Sequence, residues 1–329
     1  MSKYFVAIQK GDNRKQLLEE TLGQMEGKIP NISGRIMIKP NFLSANNLLA
    51  STTPETLEIV VRFFRTKFPK NAIYIAEGAH VSEEFILKHN IREMAQKYHV
   101  ELFSIDNDEQ EWKVIEFEDL VKEKCKVRIS KTYTTASYIV SLTVPKTHGN
   151  IGLSLSMKNL VGIIHPEDRP KFHGLSENVP QYIKNNYKSR LYDRDDKLGY
   201  YCMKVRDLLP ITRKNADILK KGGEIVRKNL YYLYQNIQPN FCILDGFDGM
   251  QGNGPWNGEN AHLKTIIIGN NTVATDLTAC QVMKHPIKDI GYTNYLEDLE
   301  TFTKDTQIIG NTIEEVGKRF RPHKFEPYL

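Results

Sequence analysis

Short apolar runs rich in β-branched residues recur along the chain, and helical patterns separate most of them. Strands that alternate with helices in this way predict βαβ units and a parallel sheet. A chain of 329 residues is long enough for one large α/β domain or for two smaller ones. We therefore expect an α/β fold with a Rossmann-like, mostly parallel sheet flanked by helices. The predicted strands are Tyr4–Ile8, Arg35–Ile38, Ala72–Ala76, Glu101–Ile105, Tyr138–Val144, Asn240–Leu244 and Leu263–Ile268.

Helix signals lie between these runs. Thr53 followed by Pro54 is typical of a helix start, with Thr53 as the N-cap. Further helices are predicted over Ser82–Tyr98 and Thr272–Met283.

The segment Gly199–Ile237 has a helical pattern with predicted interruptions at Pro210 and at Gly222-Gly223, and it breaks the strand rhythm. We expect three parts: residues 1–176 as the first part of the α/β domain, 177–238 as a basic helical insertion or lid, and 239–329 as the second part of the domain.

Composition narrows the class of protein. No run approaches the roughly 18 apolar residues that a membrane-spanning helix needs, and the first residues enter a strand-like segment without the core of a signal peptide. We expect a soluble, cytoplasmic protein without membrane contact. The four cysteines form no C-x-x-C pair, so no iron–sulfur cluster is expected from this chain.

The end of the run Tyr138–Val144 carries the densest group of reactive side chains. Lys146 and His148 follow it directly, and Lys158 comes ten residues after His148. Ligands bind at the carboxyl ends of strands in open α/β sheets. Two ammonium groups beside an imidazole suit a carboxylate or phosphate and leave a base near neutral pH. The alternative is a lysine and a histidine that serve only the structure of a loop.

Lys146-Thr147-His148 followed by Met157-Lys158-Asn159-Leu160-Val161-Gly162 resembles the hallmark of the family called domain of unknown function 362. Three other blocks resemble the same family in the same order, over roughly residues 35–300: Lys39-Pro40-Asn41, Asp245–Pro255 and Gly269–Asp276. The resemblance implies an α/β fold. Many relatives carry appended iron–sulfur domains. This chain lacks the group of closely spaced cysteines that would hold such a cluster.

The order His148, Lys158, His173 is also similar to that in the catalytic subunit of lactate racemase. There a lysine carries a nickel pincer nucleotide, and histidines flank it for proton or hydride transfer. This resemblance implies catalytic roles for His148, Lys158 and His173.

Polar residues also end the neighbouring predicted strands. Lys39 and Asn41 follow the second strand, and Glu77 follows the third, with His80 close by. Together with Lys146 and Asn159, we predict that Lys39, Asn41 and Glu77 bind substrate.

Asp245 and Asp248 end the strand Asn240–Leu244 within a glycine-rich loop. Carboxylate oxygens at this position suit a divalent metal or a substrate hydroxyl. A tight turn in which Asp245 caps backbone amides explains the pattern equally well.

Residues 181–230 hold thirteen Lys or Arg against six Asp or Glu, in a chain of formal net charge +5. The segment suits an anionic ligand or a redox protein partner, or it forms a solvated helical face. Nucleic acid is an unlikely partner, because no nucleic-acid-binding motif accompanies the charge.

These observations favour an enzyme that acts on a small anionic or phosphorylated molecule by proton or hydride transfer, as in a racemase, an isomerase or a redox enzyme, with the metal or cofactor left open. The alternative function is a non-catalytic cofactor carrier or partner subunit of an iron–sulfur redox system.

Overall fold

A computed structural model of the chain describes residues 3–78, 82–107, 112–192 and 210–323. Its main sheet has eight strands, which are β1 Tyr4–Lys10, β2 Ile36–Lys39, β3 Ile73–Glu77, β4 Glu101–Ser104, β7 Tyr138–Thr143, β10 Phe241–Gly246, β13 Thr265–Gly269 and β14 Thr306–Gly310. They lie in the order β14-β1-β13-β10-β7-β2-β3-β4. Only β13 runs against its neighbours among these described strands, since β10, β7, β2, β3 and β4 pair in parallel and β14 is parallel to β1. The predicted mostly parallel sheet is confirmed.

A hairpin consists of β5 Trp112–Glu118 and β6 Lys124–Ser130. A small sheet in the order β12-β11-β8-β9 is made of β8 Lys146–His148, β9 Gly152–Ser154, β11 Met250–Gln251 and β12 Glu259–Asn260.

The described α-helices are α1 Arg14–Met25, α2 Pro54–Lys67, α3 Ser82–Lys88, α4 Ile91–Lys97, α5 Lys131–Thr134, α6 Ser156–Asn159, α7 Arg169–Phe172, α8 Gln181–Tyr192, α9 Pro210–Asn236, α10 Thr272–Val282, α11 Leu299–Lys304 and α12 Ile313–Val316. Short 3₁₀ turns are Glu26–Lys28, Ile105–Asn107, Leu160–Ile163, Pro166–Asp168, Ile287–Ile290 and Tyr292–Tyr295.

Alternate residues of the central strands point to opposite faces of the sheet, and each face has its own apolar core. Ile36, Ile38 and Val140 pack with the apolar sides of α1 to α4. On the opposite face, Met37 and Ile139 pack with the hairpin, α6, α9 and α10. Helices therefore cover both faces, which makes the fold a three-layer α/β structure.

Two helix predictions differ from the structure. The predicted helix Ser82–Tyr98 is two helices, because Asn90 adopts a left-handed conformation at φ 54° and α4 begins after it. No break occurs at Gly222-Gly223, which lies within α9. The ring of Tyr187 takes the space that a side chain at Gly222 would fill, at 2.3 Å from the Cβ position.

The second half of α9 packs on the β5–β6 hairpin. The side-chain amide of Asn229 donates to the carbonyl of Glu118 at 2.8 Å, and its oxygen accepts from the Glu118 N–H at 2.8 Å. Lys228 adds an ion pair with the Glu118 carboxylate at 2.5 Å. The division of the chain at residues 177 and 238 stays a prediction. None of the helices in the described parts of the chain is long and apolar enough to cross a membrane.

Candidate functional site

The carboxyl end of β2 carries a buried cation that is paired with the end of β3. Lys39 is 1% exposed, and its Nζ forms an ion pair with Oε1 of Glu77 and donates to the carbonyl of Pro40 at 3.1 Å. The other carboxylate oxygen of Glu77 accepts from the Phe42 N–H at 3.0 Å. Burial lowers the pKa of Lys39, and the Glu77 charge opposes that shift. The pair therefore joins the two strand ends.

The Lys39-Pro40-Asn41 block and the Lys146–Gly162 motif meet at Asn41. Its Oδ1 accepts from Lys146 Nζ at 2.8 Å, and its side-chain amide donates to Asn159 Oδ1 at 3.1 Å. The Asn159 amide in turn donates to the Lys39 carbonyl at 3.0 Å. Lys39, Asn41, Glu77, Lys146 and Asn159 are thus one hydrogen-bonded cluster, although their substrate-binding role stays a prediction.

Lys146 is almost fully buried within that cluster. Its Nζ donates a second hydrogen bond to the Ala50 carbonyl at 2.6 Å. Burial, and then the charge of Lys158, lower the pKa of Lys146 to about 7. Lys146 therefore loses its proton near pH 7, where a lysine with an ordinary pKa would be fully charged.

The glycine-rich block after β10 lies beside the Lys146–His148 strand. Met250 of β11 pairs in parallel with Lys146 of β8. Thr147 Oγ1 donates to the carbonyl of Gly252 at 2.9 Å. A side chain at Gly254 would clash with the Thr147 carbonyl, because the distance from the Cβ position is only 2.1 Å. This close backbone approach requires a glycine.

The last motif block holds the helix that carries Lys158. The buried carboxylate of Asp276 accepts from the backbone N–H groups of Ser156 at 2.9 Å and Met157 at 3.1 Å, and from the Tyr292 hydroxyl at 3.2 Å. Burial raises the pKa of Asp276 to about 6, although these hydrogen bonds favour the ionised form. Asp276 therefore has a structural role at the start of α6.

Lys158 is partly buried. Its ammonium lies 5.4 Å from the centroid of the Phe172 ring. Burial lowers its pKa to about 8. Lys158 Nζ makes no hydrogen bond or ion pair with any residue in 3–78, 82–107, 112–192 or 210–323, so no described carboxylate neutralises it.

Two imidazoles accompany this ammonium, and Asn150 contacts both. His148 Nδ1 accepts from the Asn150 backbone N–H at 3.1 Å, and the Asn150 side-chain amide lies 3.5 Å from His173 Nδ1. Burial, followed by electrostatic interactions with the titratable groups Lys158, His173, His323 and Lys146, keeps the pKa of His148 well below its usual range. Burial and Lys158 lower the pKa of His173 to about 3.

Both imidazoles are therefore neutral near pH 7. Because Nδ1 of His148 accepts a hydrogen bond, its proton is assigned to Nε2. With the Asn150 amide as donor, the same assignment holds for His173. Within the described residues, neither Nε2 has a hydrogen-bond partner, so each imidazole offers one N–H donor to a ligand.

Asp245 and Asp248, the predicted metal ligands, both contact Arg14. Arg14 Nε lies 3.4 Å from Asp245 Oδ2, and its Nη2 forms an ion pair with Asp248. Asp245 also accepts from the Thr56 hydroxyl at 2.5 Å and from the Phe247 N–H at 3.1 Å, and Asp248 accepts from Asn260 at 2.6 Å. A cation at these carboxylates would compete with Arg14, and the metal site stays a prediction.

No group of three or more His, Cys, Asp or Glu side chains in the described part of the chain has the geometry of a metal site.

Burial raises the pKa values of Cys242 and Cys280 to about 12, so these thiols are unreactive. His80, Cys202 and residues 193–209 of the basic segment lie outside the described residues. Because the basic segment is described only in part, the redox protein partner that it was predicted to bind stays a prediction.

Sequence reasoning missed three contributors to the site. Asn150 lies between the two parts of the Lys146–Gly162 motif and was assigned no role, and Arg14 has no motif around it. His323 is 9% exposed and lies against Gly149, beyond every motif block. The spacing of Asn150 from His148 was available in the sequence, whereas Arg14 and His323 are brought in only by the tertiary fold.

The fold and the polar cluster define an α/β protein with lysines, histidines and amides gathered at the carboxyl ends of parallel strands. The chain belongs to the family described as domain of unknown function (DUF362), whose sequence profile matches residues 36–281. No curated protein matches the sequence.

One solved structure that the chain matches is the lactate racemase apoprotein from Thermoanaerobacterium thermosaccharolyticum. It is 12% identical in sequence, with a TM-score of 0.49 over 86% of this chain. This chain spans 58% of the length of that protein.

Proposed function

We propose that this protein is an enzyme that binds a small oxyanion, a carboxylate or a phosphate, against Lys158 and the Nε2–H groups of His148 and His173. The observation that carries the proposal is the unpaired ammonium of Lys158 beside two neutral imidazoles. A partly buried cation without a counterion is costly, so a bound anion would stabilise it. Ammonium and N–H donors directed at oxygen atoms form strong charge-assisted hydrogen bonds.

Proton transfer on the bound anion is the reaction that this set of groups supports best. In this proposal the Nε2–H of His148 donates to substrate oxygen and stabilises negative charge that develops there. His148 acts as a hydrogen-bond donor, since its depressed pKa makes an imidazolium unavailable near pH 7. Near its pKa of about 8, a fraction of Lys158 is the neutral amine; this form takes up the substrate proton, and the resulting ammonium returns it.

The buried cluster around Asn41 has a supporting role in the proposal. Lys146 adds positive charge at the same strand ends when it is protonated, and its side chain is already hydrogen-bonded to Asn41. Lys39 is neutralised by Glu77. Lys146 therefore favours an anion through charge, while Lys158 contacts it.

Lys158 is also the residue that the resemblance to lactate racemase predicts to carry a nickel pincer nucleotide. An amine without a partner among the described residues fits an attached group, which when bound would supply hydride transfer. The mass of the intact purified protein tests directly whether a group is attached to Lys158.

Two variants of Lys158 test the proposed function. Lys158→Met removes the charge, whereas Lys158→Arg keeps the charge and removes the titratable amine. Calorimetry with inorganic phosphate and with short carboxylic acids should show binding that weakens about 10-fold to 100-fold in Lys158→Met and changes only a few-fold in Lys158→Arg.

Incubation of the same acids, and of small phosphate esters, in deuterated water then tests the chemistry. The wild type should exchange a carbon-bound proton of its substrate, and both Lys158 variants should not. Equal phosphate and carboxylate affinities in the wild type and Lys158→Met would refute the binding site. Exchange by Lys158→Arg at the wild-type rate would refute Lys158 as the base.

A further inference from the structure

The C-terminal segment, residues 317–323, returns to the candidate site after the last strand. Phe320 is buried, and its N–H donates to the Met283 carbonyl at 3.0 Å. The next residue, Arg321, donates its N–H to Gln251 Oε1 at 3.0 Å and accepts from the Gly252 N–H at 2.7 Å. These bonds fix the segment along the block that borders the Lys146–His148 strand.

This path brings the His323 imidazole against the residue that follows His148. Three ring atoms of His323 lie 2.9, 3.1 and 3.3 Å from the position that a Cβ would take at Gly149. The ring therefore fills the side-chain space of Gly149. Since Gly149 joins His148 to Asn150, the His323 ring supports the turn that sets the Nδ1 hydrogen bond of His148.

We propose that His323 is a positioning residue of the candidate anion site, which holds the His148–Asn150 turn so that His148 presents its Nε2–H. The residue lies outside the range 36–281 that matches the family profile. That the site binds an anion rests on the proposed function, whereas the effect of His323 on His148 does not.

Electrostatics agrees with this placement. The titratable groups that act on His148 are Lys158, His173, His323 and Lys146, in that order after burial. All of them oppose a second proton on His148. Removal of the His323 ring both admits water and takes away one of these groups, so each effect makes protonation of His148 easier.

The test uses the ring nitrogen signals of His148 in the full-length protein by nitrogen-15 NMR, without any ligand. His323→Ala should move these signals away from the Nε2–H pattern towards exchange between tautomers, and His148 should take up a proton at a higher pH than in the wild type. His99→Asn, at an exposed imidazole, is the matched control and should leave the His148 signals unchanged. Signals of His148 in His323→Ala that superimpose on the wild type would overturn the proposal.

Gly149→Ala is the second variant, because its new Cβ must displace the His323 ring. It should shift the His148 signals in the same direction, while Gly27→Ala, which meets nothing within 4 Å, should not. A shift in Gly149→Ala without one in His323→Ala would assign the effect to the turn alone and would refute the role of His323.

Affinity for inorganic phosphate separates this inference from the proposed function. We expect His323→Ala to weaken phosphate binding about fivefold, in line with one distorted hydrogen bond. If the wild type binds neither phosphate nor short carboxylates, the proposed function fails, yet the His148 signals still decide the role of His323. If phosphate binding depends on Lys158 but the His148 signals are the same in His323→Ala and the wild type, the proposed function stands and the role of His323 is refuted.

Discussion

The backbone N–H of Asn150 donates to Nδ1 of His148 at 3.1 Å, two residues away in sequence. A backbone N–H has no alternative proton position, so this bond fixes which ring nitrogen of His148 accepts. The consequence is a buried, neutral imidazole whose remaining N–H is available to a ligand.

The first prediction concerns this tautomer. Nitrogen-15 NMR of the histidine rings should show His148 as a neutral Nε2–H tautomer throughout pH 5 to 8, since burial and nearby cations oppose protonation. The signals of the exposed imidazoles in the same spectra provide the internal reference. Observation of Nδ1–H, or of an imidazolium at pH 6, would contradict the assignment.

The second prediction concerns Lys146 and the pH dependence of stability. Its pKa is about 7 in the folded state against 10.5 as the ordinary value, so between these values the unfolded chain binds more protons. The free energy of unfolding should therefore rise with pH above about 7, by up to ~1.4 kcal/mol per pH unit from this one group.

Lys146→Met should flatten that rise, leaving the smaller contribution of Lys158, whose pKa is about 8. Urea unfolding at several pH values from 6 to 10 measures the slope, and Lys70→Met at an exposed position is the control. A slope in Lys146→Met equal to that of the wild type would show that Lys146 is not held near neutrality.

The third prediction concerns the space beside the Lys39–Glu77 ion pair. A Cβ at Gly162 would lie 2.8 Å from Lys39 Nζ and 3.1 Å from Glu77 Oε1. Gly162→Ala should therefore destabilise the protein by ~1–3 kcal/mol, because the buried pair must move. Gly23→Ala, in α1 with nothing within 4 Å, should instead be neutral or stabilising by up to ~1 kcal/mol. The prediction fails if the two alanine variants change the urea midpoint equally.

The fourth prediction concerns Asp276 and the helix that carries Lys158. Asp276→Asn leaves one oxygen where the carboxylate accepted hydrogen bonds from Ser156, Met157 and Tyr292. We expect a loss of ~1–3 kcal/mol in the free energy of unfolding, together with weaker phosphate binding, because α6 loses its fixed start. The control is Glu314→Gln at an exposed carboxylate. Normal stability and normal binding in Asp276→Asn would contradict this role.

Residues at predicted strand ends show what local sequence reveals. Lys39, Asn41, Glu77 and Lys146 each follow an apolar run, and parallel pairing of β2, β3 and β7 brings these run ends to one edge. The rule that side chains gather at the carboxyl edge needs only strand positions and direction, both of which the apolar pattern supplies.

Other features depend on contacts that no local pattern encodes. The strands β8 and β11 are two or three residues long, and they exist because two loops pair with each other. The hairpin β5–β6 and the strand β14 were not predicted either, since partly exposed strands give weaker apolar patterns. Arg14 reaches Asp245 and Asp248 from a helix more than two hundred residues earlier, which sequence spacing cannot show.

The position of β14 beside β1 has a consequence for biosynthesis. Tyr4 pairs with Thr306, and the other neighbour of β1 is β13, so neither partner has been translated when β1 leaves the ribosome. Contacts of such long sequence separation form late and slowly. The nascent chain therefore carries an unpaired apolar strand until β13 has been made, which makes β1 a segment that we expect molecular chaperones to bind.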